Sequence, residues 1–348
     1  MGTFFLEFRD PLFSIIIFFA IIFMITFFSY WWGRYKTKED SRRLDKFLQQ
    51  FKGLPSKSEL NILISSGELS EKSWLLLANS YYKNGDYEKS IEIYNEILKL
   101  PTTNSKDTMF LLGKTYFKAG FLERAKQIFL EILRKSPRTP QALNYLLLVY
   151  EYMRDYTGAL DVLEPLDEMG KDITKEKAYL EVLSILNNHQ LNSDEKTDKL
   201  LAIYTQEHQL SYLIFEFLFK VNPQLAWKHF DSSKSELLTD ILWQIEAKNL
   251  DLDIISKNSF LRELYTAKGE LNLATRSSNF EFDVLINLKN TSVNAGLNFE
   301  YLCSSCKQVY PFAFNRCSYC HSIDTSKVEW SLIKDYHKDF SEENNSFQ

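Results

Sequence analysis

From Lys72 onward the sequence repeats itself with a period close to 34 residues, and this constrains the fold more than any other feature. Three segments align: Trp74–Pro101, Met109–Pro137 and Leu143–Lys171. Tyr81, Tyr116 and Tyr150 recur at steps of 35 and 34 residues, as do Ser90, Ala125 and Ala159, and again Tyr94, Phe129 and Leu163. Each copy is one supersecondary unit that cannot bury its apolar face alone, so the copies must stack.

The residue types identify the unit. Small residues stand where two antiparallel helices approach: Ala78, Gly113, Ser90, Ala125 and Ala159. Bulky Tyr81, Tyr116, Tyr94 and Phe129 fill the space between helices. Gly85 and Gly120 suit the left-handed residue that ends a first helix, and Pro101 and Pro137 close the second. This is the tetratricopeptide pattern. The third copy departs from it, with Arg154 in place of the turn glycine, Leu147 in place of the small residue, and no closing proline. The competing reading is an ordinary helical bundle with coincidental spacing.

In such arrays the first helix of each repeat lines a concave surface. Aligned that way, Asn79, Tyr82, Lys114, Phe117, Asn144 and Glu151 are the expected partner-binding groove. This aromatic and polar mix suits an extended peptide or a protein surface. It lacks the Lys, Asn and Arg set by which chaperone-binding relatives grip a terminal carboxylate. The competing reading buries Tyr82 and Phe117 under neighbouring helices.

With only 11 Gly and 8 Pro in 348 residues, helices are favoured beyond the repeats as well. Apolar runs at Ala178–Leu186, Leu210–Val221 and Leu237–Ile245 continue to about Ser277 and read as degenerate repeats, with Asn222-Pro223 as a helix start. Phe280, Phe282, Val284, Ile286 and Leu288 alternate with other residues, which allows a short strand or a helix.

Leu12 to Trp32 contains no charged side chain, and only Ser14, Thr26 and Ser29 interrupt its Phe/Ile run. As a helix it spans ~31 Å, the thickness of a bilayer core, with Tyr30, Trp31 and Trp32 at the interface. A signal peptide needs a basic start and small residues at a cleavage site. Here Glu7, Arg9 and Asp10 precede the run, and Arg34, Lys36, Lys38, Arg42, Arg43 and Lys46 follow it. The expectation is an uncleaved single-pass anchor in the inner (cytoplasmic) membrane, N-terminus out, with the bulk of the chain cytoplasmic.

All 4 cysteines fall within 18 residues, as Cys303-Ser304-Ser305-Cys306 and Cys317-Ser318-Tyr319-Cys320. Two C-x-x-C knuckles separated by ten residues present four thiolates in a closed tetrahedral shell with no open position for a substrate. The aromatic flanks Phe299–Leu302 and Pro311–Phe314 suit the strands of a small ribbon, whose core is too small to fold without metal. Cys317 to His321 also reads as a C-x-x-C-H haem motif, but haem attachment and disulfides both belong outside the cytoplasm. Structural zinc is the expected cofactor, and iron in the same thiolate shell stays open. His321 is then a neighbour rather than a ligand.

His189, His208, His229 and His337 form no metal or triad-like cluster, and no phosphate-cradling glycine motif appears. A net charge of −5 gives no basic footprint for nucleic acid. Glu92, Glu131 and Asp161 read as solvated helix faces, so the expectation is a protein that is not an enzyme.

Taken in order, these parts resemble the lipopolysaccharide assembly protein B family. The resemblance implies an all-α chain: an N-terminal transmembrane helix, a tetratricopeptide α-solenoid and a small C-terminal rubredoxin-like zinc ribbon. The implied layout is an anchor at 1–33, a connector at 34–70 and a repeat region at 71–297, then a ribbon at 298–334 and a polar tail at 335–348. The clear repeats within it are 71–104, 106–138 and 140–172. It further implies metal ligation by Cys303, Cys306, Cys317 and Cys320, and an adaptor working with a membrane AAA+ protease on the lipid A deacetylase. Lys307 and His321 depart from the family's knuckle glycines, Ser318 from its proline and Asn315 from its tryptophan. Two further readings remain: a generic scaffold for another envelope assembly, and a membrane-tethered electron carrier with an iron or haem centre.

Overall fold

The computed structural model describes residues 18, 19, 21–28, 62, 64, 70–100, 105–289, 291, 293 and 295–334. Most of the expected anchor, the connector and the polar tail lie outside these residues. Residues 18–19 and 21–28 are helical with exposed apolar side chains. Among the described residues no helix is long and apolar enough to cross a membrane. The chain divides into two compact units, residues 1–169 and 170–348.

In the first unit the sequence period appears as three helix pairs. These are α1 (Glu71–Asn84) with α2 (Tyr87–Ile97), α3 (Ser105–Lys118) with α4 (Leu122–Lys135), and α5 (Pro140–Tyr152) with α6 (Tyr156–Glu168). Ser70 caps α1 by accepting the Ser73 amide, and Gly85 ends it at φ 84°. Gly85 and Asp86 return their amides to Tyr82 and Tyr81 carbonyls. The same turn follows α3, with Gly120 at φ 80°.

After α5 the turn is identical in its hydrogen bonds, from Arg154 to Glu151 and from Asp155 to Tyr150, but Arg154 now occupies the left-handed region at φ 60°. The glycine position is therefore kept by geometry and lost in residue type. Packing explains the other substitution. A Cβ on Gly113 would meet the Phe129 ring at 2.9 Å. In the third repeat Leu147 and Leu163 stand at the corresponding positions, and both are buried, so a smaller side chain faces a larger one.

In the second unit α7 (Thr174–Asn187) and α8 (Ser193–Glu207) form a hairpin, with Asn192 and Glu195 making reciprocal cap hydrogen bonds. Shorter helices follow: α9 (Ser211–Val221), α10 (Pro223–His229), α11 (Thr239–Gln244), α12 (Leu252–Lys257), α13 (Ser259–Lys268) and α14 (Phe280–Leu288), with 3-10 turns at Ser232–Leu238 and Ala247–Asn249. Asn222 caps α10, which opens with Pro223 as expected. Helices from α9 on run 6–11 residues, against 11–15 in α1–α8.

Residues 280–288 are a helix, not a strand. Asn279 caps it, and the buried positions Phe282 and Leu285 are three apart, which is helical rather than strand spacing.

The ribbon is an antiparallel sheet of β1 (Ala295–Cys303) between β2 (Val309–Tyr310) and β3 (Ser326–Lys334). Its register runs from Ala295 opposite Lys334 to Cys303 opposite Ser326, and pairs Tyr301 with Tyr310. Residues 311–314, read from sequence as strand-forming, are not strand. Alternation turns Leu297, Tyr301 and Cys303 inward. Leu297, Tyr301, Ile323 and Val328 belong to the same hydrophobic core as Tyr179, Phe215, Trp227 and Tyr265. Trp330 stacks on Phe282 at 5.7 Å between centroids. The ribbon therefore borrows its core from the helices around it.

Candidate metal centre

Each C-x-x-C segment closes as a tight knuckle. Lys307 donates its amide to the Cys303 carbonyl at 2.8 Å, and His321 donates to Cys317 at 2.9 Å. Both closures require a left-handed residue, and Lys307 and His321 adopt φ 63° and 62°. These are the two positions where a glycine would be unstrained.

The knuckles bring four sulphurs together. Cys303 and Cys320 lie 3.7 Å apart, as do Cys306 and Cys317, and all four Sγ atoms fall within 4.8 Å of one another. Sulphurs about 2.3 Å from one tetrahedral ion stand about 3.8 Å apart, whereas a disulfide holds them near ~2.05 Å. The donor set therefore fits a single thiophilic ion, and all four cysteines are free. Among the described residues no other group of His, Cys, Asp or Glu is gathered this way.

Polar neighbours complete the shell. The Thr325, Tyr310 and Ser322 hydroxyls lie 3.3, 3.2 and 3.4 Å from the sulphurs of Cys303, Cys317 and Cys320. Burial raises the Cys320 thiol, but hydrogen bonds from the Ser322 side chain and amide outweigh it and hold the group at about 6. The Gln308 amide pulls Cys306 down, yet burial and the three neighbouring sulphurs push it up to about 12. Thiolates gathered this closely repel one another, and a cation among them offsets that repulsion.

The centre is tied to the surrounding helices by residues next to its ligands. Arg316, beside Cys317, meets Glu176 of α7 through two hydrogen bonds of 2.7 and 3.2 Å. It also donates to the His321 carbonyl at 2.9 Å. Its guanidinium lies over the Tyr179 ring at 5.0 Å, and its side chain is 6% exposed. Tyr301, two residues before Cys303, donates to Asp240 of α11 at 2.7 Å. Lys175 pairs with Asp324 at 3.8 Å. Sequence reasoning missed Arg316, Glu176 and Asp240, because contacts spanning such separations leave no periodic signal.

The six groove residues lie on α1, α3 and α5. Asn79, Tyr82, Lys114 and Glu151 are half-buried and Asn144 is exposed. Phe117 is a correction to the expected set. It is 6% exposed, with Tyr145 and Tyr152 of α5 edge-on at 5.8 and 5.3 Å, so it fills the core. Tyr152, 53% exposed, presents an aromatic surface in its place. Lys114 sits over the Tyr82 ring at 5.3 Å, and burial pushes the Tyr82 phenol up to about 12.

Comparison with known families matches the tetratricopeptide repeat at residues 71–100 and again at 110–167. These segments are tetratricopeptide repeats, and they fall on α1 to α6, leaving out the first five residues of α3 and the last of α6. Among solved structures, MamA 41-end from Desulfovibrio magneticus RS-1 is 16% identical, covering 51% of this chain and 93% of that one at a TM-score of 0.34. A tetratricopeptide repeat protein from Parabacteroides merdae ATCC 43184 is 14% identical, covering 72% and 97% at a TM-score of 0.39. A thermophilic tetratricopeptide protein of Thermus thermophilus is 17% identical, covering 58% and 100% at 0.28. Comparison with curated proteins gives no match.

Proposed function

We propose that this chain is a non-catalytic adaptor, anchored in the inner membrane by its N-terminal apolar segment. In this reading it limits lipopolysaccharide synthesis by presenting the lipid A deacetylase to a membrane AAA+ protease. The observation that carries the proposal is the combination of tetratricopeptide repeats at 71–100 and 110–167 with a four-thiol cluster whose two knuckles are ten residues apart. Tetratricopeptide arrays offer extended concave surfaces to protein partners. Membrane confinement of adaptor and protease raises their effective concentration without any new contact.

Zinc held by Cys303, Cys306, Cys317 and Cys320 supplies no reaction in this reading. Its four-sulphur shell is closed, and its contribution is to the folding of the second unit. The chain's own residues carry the interaction: half-buried Tyr82 and exposed Tyr152 offer rigid aromatic contact area, and Asn79 and Asn144 adaptable hydrogen bonds.

The test is to deplete the protein and follow the deacetylase by immunoblot together with lipopolysaccharide content. Both should rise. Unchanged levels sink the protease-adaptor reading and leave a protein-interaction scaffold with other clients.

A further inference from the structure

The partner-binding side of the first unit carries an unbalanced charge. On α1, Lys72, Asn79 and Lys83 are seven and four residues apart and share one helical face, with Tyr82 beside them. Lys114 of α3 reaches this face, its Nζ 5.3 Å from the centre of the Tyr82 ring. The ion pairs of this unit among the described residues use other lysines: Lys89 with Asp86, Lys99 with Glu96 and Lys135 with Glu131. Asp107, Lys118 and Glu151, along the same side of α3 and α5, are each engaged by a neighbour. Lys72, Lys83 and Lys114 are left without an acid.

Exposed lysines are ordinarily solvated, and Lys72 and Lys83 alone would carry no meaning. Lys114 differs, because it is half-buried and held over an aromatic ring beside two further donors. Burial and the neighbouring phenols of Tyr145, Tyr87 and Tyr94 push the Tyr82 phenol up to about 12, so at neutral pH it keeps its proton and can donate. Asn79, one turn away and half-buried, offers its amide as well. The group that an ammonium, a phenol and an amide complement together is an anionic acceptor. Lys72 and Lys83 are eleven residues apart, ~16 Å along the helix axis, which about five residues of extended chain can span.

We propose that this face receives an acidic segment of the protein partner, with one aspartate or glutamate carboxylate on Lys114 Nζ and the Tyr82 phenol, and further acids drawn by Lys72 and Lys83. Charge complementarity carries the assignment. In a chain of net charge −5, three lysines without acids on one side of α1 and α3 make a local positive surplus, which steers an acidic partner and rejects a basic one. The set that grips a terminal carboxylate is missing, so the acids lie within the segment rather than at its end. The proposal rests on reading this face as the docking surface and adds the chemistry that docks there.

Full-length, metal-loaded protein in lipid nanodiscs is taken through mRNA-display selection from random peptides of about a dozen residues. The strongest binder is then measured by fluorescence anisotropy beside a copy in which every Asp and Glu is changed to its amide. Acidic residues should be enriched at least about twofold, and affinity should fall about tenfold in the amide copy and about fivefold in Lys114→Gln. Lys135→Gln makes the same charge change on α4, away from this face, and should leave affinity within about twofold. Helicity and metal content report whether both variants fold. Selected peptides without acidic enrichment, an amide copy that binds equally, or a Lys114→Gln loss no greater than that of Lys135→Gln overturns the acidic-segment proposal and leaves the docking surface standing. A selection that yields no binder overturns both.

Discussion

Removing the Arg316 guanidinium should loosen the ribbon and α7 together. The side chain is 6% exposed, but its partner Glu176 is 34% exposed, so the pair lies between two regimes. Exposed pairs contribute ~0–1 kcal/mol, and breaking a fully buried pair costs ~3–5 kcal/mol. Water can resolvate Glu176, so we expect a coupling of about 1–2 kcal/mol in a double-mutant cycle of Arg316→Ala with Glu176→Gln. Arg316→Ala also loses the contact with Tyr179 and the bond to the His321 carbonyl, bringing its total to roughly 2–4 kcal/mol. Arg316→Lys keeps the charge but not the two-pronged geometry, and should recover less than half of that loss. The assay is native-state hydrogen exchange by mass spectrometry on metal-loaded protein, comparing peptides from α7 and β3. Protection should fall in both by similar free energies, while α1–α6 are unaffected. A coupling below about 0.3 kcal/mol, or a loss confined to β3, refutes the claim that this contact joins ribbon and helices.

Four further outcomes are open to measurement. Lys307→Gly and Arg154→Gly relieve left-handed strain of ~1–2 kcal/mol, offset by the greater freedom of glycine in the unfolded chain. Each should stabilise its own unit by roughly 0.5–1 kcal/mol in local exchange measurements, whereas Gly85→Ala at φ 84° should destabilise. Phe117→Ala should cost about 3–5 kcal/mol in the first unit by leaving a cavity. Tyr82→Ala with Tyr152→Ala should instead weaken partner capture in pull-downs with helicity unchanged, and unaltered capture argues against this surface. A periplasm-dependent phosphatase fused after Gln348 should be inactive, because the basic residues lie on the C-terminal side of the apolar segment; strong activity reverses the orientation.

What could be read from the sequence was whatever is local or periodic. The repeats were legible because Ala78, Gly113, Ala125 and Phe129 meet a packing requirement that recurs about every 34 residues. The cysteines were legible because a knuckle needs only four consecutive positions. Alternation left 280–288 open between strand and helix, and the fold decides it through Leu285, which lies outside the even-spaced set yet shares the buried helical face with Phe282. Phe117 was misplaced because the groove alignment fixes a position on one helix, while its burial depends on Tyr145 and Tyr152 of the next. The docking of the ribbon was not legible at all. Arg316 and Glu176 are 140 residues apart, and Tyr301 and Asp240 are 61 apart. Only the folded chain brings them into contact.

The claim beneath all of this is that four thiolates share one ion whose binding completes the second unit. Native mass spectrometry of the full-length chain, purified without added metal, measures that directly. The account predicts one zinc per chain, lost in Cys303→Ser and in Cys320→Ser together with exchange protection in α7 and β3, while α1–α6 stay protected. A chain carrying no metal, or covalent haem on Cys317 and Cys320, contradicts it.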